Sequence, residues 1–201
     1  MTTKEMKLNT AGLTKLRELT GAGMMYCKAA LVEAKGDIKA AQDIIRKKGL
    51  DIAKKKSTRE VREGQIVSYI HAGGKLGVLL EVDCETDFVA KNADFQAFCR
   101  DIAMQIAAAH PLFVSAENIP ADVLEKEKSI FLDQVQGKPE AVQQKILEGK
   151  LAKRYEEICL LNQKFIKDDS KTVQNILTEI IARIGENIII KRFVRFEVGG
   201  H

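Results

Sequence analysis

Residues 65–84 read QIVSYIHAGGKLGVLLEVDC, and the fold turns on how they are read. Two runs rich in β-branched and apolar residues flank AGG, a turn signal, so the stretch predicts an antiparallel hairpin. In the second run Val78, Leu80, Val82 and Cys84 alternate with Glu81 and Asp83, so that strand buries one face.

Downstream lies ETDFVAKN, residues 85–92. By position it is a polar connecting loop, yet it sets Phe88 beside Asp87. Composition alone reads Phe88 equally well as core tucked under the sheet or as a partner contact. The next run, ADFQAFCRDIAMQIAAAH, predicts a helix capped by Asn92, with Phe95, Phe98, Ile102 and Ile106 at a 3.6-residue period. HPLFVSAENIP is a Pro-bounded loop. Two or three helices are expected around 121–136 and 139–161, broken at QGKP, with a further break open at Gly149. FIKDDSK reads as a loop, and Ser170 as the cap of a last helix striped by Val173, Ile176, Leu177, Ile180, Ile181 and Ile184 and closed by Gly185. ENIIIKRFVRFEV is the final strand, with Val194, Phe196 and Val198 alternating with Arg195 and Glu197. The body is α+β: a three-strand antiparallel sheet with helices packed on one face. Its strands are far apart in sequence, so the fold closes end to end, and its open edges invite pairing with a second copy.

Upstream, three short helices fit the first 50 residues. Thr10 caps one with Leu13, Leu16 and Leu19 on a stripe. TGAG at 20–23 breaks it, and MMYCKAALVEAK follows with Cys27, Ala30, Leu31 and Ala34 as its apolar face. Asp37 caps the third helix, which Gly49 is expected to end. DIAKKKSTREVREG is then a basic linker, at least partly helical. The expected domains are a three-helix unit at 1–50, the linker at 51–64, and an α+β core and dimerisation domain at 65–201.

Composition narrows the function. The chain has 201 residues and a net charge of +4, but residues 1–62 carry +8 and the remainder −4. No apolar run approaches the roughly 18 residues of a membrane span, and MTTKEMKLNT has no hydrophobic signal core, so a cytoplasmic protein with no membrane partner is expected. Cys27, Cys84, Cys99 and Cys159 form no CxxC pair and read as buried, reduced thiols. No metal and no cofactor are expected. HAGGKLG lacks GxxxxGK[ST] spacing. His71, His110 and His201 adjoin no recognisable nucleophile motif. Glu81, Asp83, Glu85 and Asp87 alternate without EF-hand spacing and read better as a solvated strand face than as a metal cluster. KKKSTREVR can neutralise phosphates but has no interleaved aromatics, so an RNA-binding module is the weaker rival and no direct nucleic-acid contact is expected. An enzyme is weaker still. What remains is apolar material beside charge: Met24 and Met25 where a helix restarts, and Phe88 next to Asp87, the composition of a protein contact.

These segments resemble the elongation factor Ts family nearly end to end. LRELTGAGMMYCKAAL with GDIKAAQDIIRKKG resembles its N-terminal signature and VLLEVDCETDFVAKN its second signature. FIKDDSKTVQNIL and NIIIKRFVRFEVG are similar to its C-terminal core. The resemblance implies a ubiquitin-associated-like three-helix N-terminal domain on an α+β core. It also implies guanine nucleotide exchange on the translation GTPase elongation factor Tu. The TDFV motif, here Thr86, Asp87, Phe88 and Val89, would carry the wedge, with Asp87 and Phe88 near the partner's magnesium site. Arg17, Met24 and Met25 would contact a helix of the GTPase. Long members have two related core subdomains and a C-terminal extension. This chain, with one hairpin-plus-helix unit, resembles the short form, which implies a homodimer binding two GTPase molecules.

Overall fold

The computed structural model describes residues 10–135, 137 and 139–200. In order the elements are α1 (Thr10–Thr20), α2 (Met24–Glu33), α3 (Ile38–Lys56), β1 (Glu63–Ile70), β2 (Leu76–Cys84), α4 (Asp87–Ala90), α5 (Ala93–Ala109), α6 (Ala121–Asp133), α7 (Glu140–Ile158), β3 (Lys164–Phe165), β4 (Asp168–Thr172), α8 (Val173–Ile184) and β5 (Ile188–Glu197). The α+β reading holds.

The hairpin forms with β2 at the centre of an antiparallel sheet of order β1-β2-β5. Gly64 stands opposite Asp83, where a methyl group on it would lie 2.3 Å from the Val82 carbonyl oxygen. The backbones meet that closely only because Gly64 has no side chain. Helices α5 and α8 cover the inner face. Leu80, Val82, Phe95, Ile102, Ile106 and Val173 are fully buried there, each aliphatic or aromatic side chain contributing about 1.5–3 kcal/mol of transfer free energy. Asn92 caps α5 through its side-chain oxygen, which accepts from the Asp94 and Phe95 amides.

The last strand departs from its sequence pattern. Glu81 pairs with Arg192 but Val82 pairs with Ile190, so Lys191 is an extra residue, a β-bulge. The bulge exchanges the faces of β5. Ile188 and Ile190 are buried before it. Beyond it Phe193 and Arg195 turn inward, and the Arg195 Nε donates to the Ala107 carbonyl at 3.3 Å. Val194 and Phe196, the alternating pair expected from sequence, point away from the helices with Leu79, Ile66 and Ile70.

Helices α1–α3 bury a small separate cluster of Leu16, Cys27, Ala30, Leu31 and Ala41. Leu19, read as part of that stripe, is exposed. Asp37 caps α3 as expected, its carboxylate accepting from the Ala40 amide at 2.8 Å. Gly49 does not end α3. The helix runs on to Lys56, and Gly49 is buried where α3 crosses α8, with room for a Cβ 3.5 Å from that of Ala182. Three other boundaries differ from the sequence reading. FIKDDSK forms the hairpin β3–β4, not a loop. The cap of α8 is Thr172, whose hydroxyl accepts from the Asn175 amide while the Asn175 side chain accepts from the Thr172 amide. Asp168 instead takes the Ser170 hydroxyl and amide. Helix α7 passes through Gly149 unbroken. All four cysteines are buried free thiols.

Candidate functional site

The segment after β2 is not a plain loop. Thr86 leaves the strand in extended geometry and caps a single helical turn, its hydroxyl accepting from the Val89 amide. The turn is amphipathic over four residues. Val89 and Ala90 are buried in the main core, so Val89, expected among the contact residues, anchors the turn instead of facing outward. Phe88 projects to solvent at 81% exposure. The alternative of Phe88 as core is thereby excluded.

Two clamps hold this turn from far along the chain. The Glu186 carboxylate accepts from the Thr86 amide at 3.1 Å and from the Thr86 hydroxyl at 2.8 Å. Glu85 accepts from the Asn187 amide at 2.6 Å and from the Arg59 guanidinium at 3.3 Å, while the Asn187 side chain donates to the Arg59 carbonyl at 2.8 Å. Partial burial opposes the charge of Glu85, but the Asn187 and Arg59 hydrogen bonds outweigh it and hold the carboxyl below its ordinary range. Glu186 and Asn187 occupy the link between α8 and β5. No sequence motif marks them as site residues. Their role follows only from which loop they face.

Asp87 is half-exposed and carries a charged partner. Lys91, one turn on, donates to its carboxylate at 2.8 Å. That hydrogen bond draws the Asp87 pKa down and the Lys91 pKa up. The other acids of the alternating run are separately engaged: Glu81 pairs with Arg192, and Asp83 is pushed up by burial and by Glu81. Burial pushes the Cys84 thiol up to about 11 and the Cys99 thiol up to about 12. Both are poor nucleophiles at neutral pH. Among the described residues, no group of three or more His, Cys, Asp and Glu side chains is placed to hold a metal ion, and no helix is long and apolar enough to cross a membrane.

The second set of expected contact residues lies at the α1–α2 turn. Met24 opens α2, and Met24, Met25 and Arg17 are exposed, Met25 at 72%. An exposed ring on a clamped turn, and two exposed thioethers at a helix start, suit apolar docking into another protein.

The comparisons agree with the motifs. A family model for elongation factor TS matches residues 28–200. The elongation factor Ts of Geotalea uraniireducens is 56% identical over 196 residues, covering 96% of this chain and 91% of that protein. That of Caldanaerobacter subterraneus subsp. tengcongensis is 54% identical over 194 residues, covering 96% and 97%. That of Geobacter sulfurreducens is 54% identical, covering 96% and 91%. These matches span the helical N-terminal region, the clamped turn and the sheet, and the chain belongs to the elongation factor Ts family.

Proposed function

We propose that this chain is a guanine nucleotide exchange factor for elongation factor Tu in the cytoplasm, acting by protein contact with no bond made or broken on the chain itself. The observation that carries the reading is Phe88: a large apolar ring almost wholly in solvent, on a turn anchored by Val89 and Ala90 and clamped by Glu186. A ring left in water at a rigid tip gains about 1.5–3 kcal/mol when another protein buries it. Phe88 acts as the wedge at the magnesium and phosphate end of the GTPase nucleotide site, where packed elements shift in discrete steps. Asp87 exchanges Lys91 for groups around the metal. Arg17, Met24 and Met25 take a helix of the GTPase. Thr86 and Val89 mount the wedge. Because coupling is reciprocal, a factor that prefers the nucleotide-free partner weakens nucleotide binding by the same ratio.

The chain acts as a homodimer that binds two GTPase molecules. What supports this is the uncovered face of the sheet, where Ile66, Ile70, Leu79, Val194 and Phe196 are all exposed and adjacent in register. Contiguous apolar surface of this kind marks an interface. The deciding experiment is release of labelled GDP from elongation factor Tu with and without the chain. Acceleration by the native chain and its loss with Phe88→Ala are expected. No acceleration by the native chain, or full acceleration by the variant, overturns the mechanism.

A further inference from the structure

Arg183 and Glu186 sit at the same end of α8 and reach different elements. Glu186 holds Thr86. Arg183 reaches two others. Its Nη1 lies 3.9 Å from the Asp94 carboxylate in the first turn of α5, two residues after the Asn92 cap that follows α4. Its guanidinium also covers Gly21 in the turn between α1 and α2. A methyl group built on Gly21 would lie 2.5 Å from Nη2 and 2.6 Å from both Cζ and Nε. Three atoms of one plane at nearly equal distance place the guanidinium face directly over the glycine. Gly21 has φ of +63°, a left-handed backbone that already favours glycine.

The preceding residue, Ala182, receives Gly49 of α3. Helix α3 packs along α8, with Ala53 against the main core and Gly49 beside Ala182, and the turn between α1 and α2 meets α8 separately, at Arg183. Along the rest of that seam runs a cleft of about 240 Å³, lined by Tyr26, Arg46, Asn175 and Glu179 among others. That packing, with the Arg59–Glu85 pair just beyond its end, orients α3. The turn that leads into Met24 and Met25 is held separately, by Arg183, which also reaches the helix start that follows Phe88.

We infer that Arg183 is a positioning residue that sets the orientation of the Met24–Met25 turn relative to the Phe88 turn, so that both engage one partner molecule at once. This rests on the exchange-factor reading above. The physics is that of two linked contacts: once one is made, the second binds at an effective concentration set by how well its orientation is held. The flat guanidinium, not its charge, does the holding. The Asp94 pair is long and partly exposed and contributes little. A lysine has no planar face to lay over Gly21.

The test uses the full chain in the GDP-release assay, with initial rates read against factor concentration. Arg183→Ala and Arg183→Lys should each raise the concentration giving half-maximal acceleration, on the order of fivefold. The maximal rate should stay unchanged, because the wedge itself is intact. In a Met24→Ala/Met25→Ala background the same substitutions should have no further effect, since the contact they orient is gone. Unchanged half-saturation in Arg183→Ala, or an equal loss in both backgrounds, overturns the inference. A second measurement needs no partner: spin labels on cysteines introduced at Lys28 and at Lys75 in the hairpin turn, both exposed, report the distance between the N-terminal helices and the sheet. Arg183→Ala should broaden that distribution, and an unchanged width overturns the inference. If the native chain fails to accelerate GDP release, the functional reading falls while the label distances still decide the geometry.

Discussion

The Glu186 carboxylate takes both the amide and the hydroxyl of Thr86, joining two residues 100 positions apart at 3.1 and 2.8 Å. It fixes the residue that caps the Phe88 turn, so it governs the site without lying on its exposed surface. Glu186→Ala leaves a part-buried amide and hydroxyl without their charged acceptor. A hydrogen bond to a charged group contributes about 1.5–3 kcal/mol. The expected outcome is a stability loss of that order in urea titration, together with faster amide exchange at residues 87–90 and weaker stimulation of GDP release. Unchanged exchange at those amides would show that the turn is held by other means.

Neighbouring residues of the same turn should separate function from stability. Phe88 at 81% exposure touches little in the free chain, so Phe88→Ala should move the urea midpoint by an amount equivalent to about 0.5 kcal/mol or less. Its exchange activity should fall by about tenfold or more, as for a contact hot spot. Val89 is 8% exposed and packs into the core. Val89→Ala should cost on the order of 1–2 kcal/mol of stability. The opposite pattern would mean that the turn is rotated in the working protein.

Gly64 is a sensitive position in the sheet. A methyl group there meets the Val82 oxygen at 2.3 Å and the Asp83 Cα at 2.8 Å, both backbone atoms that cannot swing aside. Gly64→Ala should force β1 from β2 and destabilise by about 1–3 kcal/mol. Gly137→Ala is the contrast, with nothing within 4 Å of the added carbon, though its φ of +84° still adds backbone strain. Thermal melts of the two variants compare clash plus strain with strain alone, and Gly64→Ala should melt lower.

The Glu85 clamp gives a pH dependence with a definite sign. Its carboxyl is held below the ordinary value of 4.5 in the folded chain, so the unfolded chain binds the proton more readily. The stabilisation is complete above that ordinary value and is lost as pH falls through the folded pKa. Urea midpoints measured from pH 6 down to pH 3 should fall more steeply for the native chain than for Glu85→Gln. Parallel curves would show that Glu85 does not contribute to acid unfolding.

Phe196 stands across β2 from Ile70, with Gly77 between them, on the uncovered sheet face. Phe196→Asp puts a charge where a second copy would bury an apolar surface, at a cost that favours separated chains. The native chain should scatter light as a dimer at micromolar concentration and the variant as a monomer with the same thermal stability. A native mass of one chain would refute the assembly.

Much of this could be read without coordinates. The hairpin at 65–84, the Asn92-capped helix with Phe95, Phe98, Ile102 and Ile106 inside, and the Asp37 cap depend on contacts within a few residues. Local alternation and capping chemistry encode such features directly. The reading failed where a distant partner decided the outcome. Gly49 looks like a helix end in isolation, but it lies mid-helix and buried beside Ala182, where α3 packs against α8. Ser170 and Thr172 both have capping hydroxyls, and the pairing of β3 with β4 selected Thr172.

By its own pattern the sequence determined an α+β chain, its hairpin and most of its helices, and its several motifs together pointed to its family. Only the tertiary structure decided which way the residues face. The bulge at Lys191 arises from how β5 meets β2, and it turns Val194 and Phe196 outward against a period-2 pattern that is equally consistent with burial. Phe88 is exposed because Val89 and Ala90 occupy the core and Glu186 holds Thr86. A strand or a single turn has two sides that its own residues cannot rank by burial. The ranking comes from the surfaces that other segments bring against it.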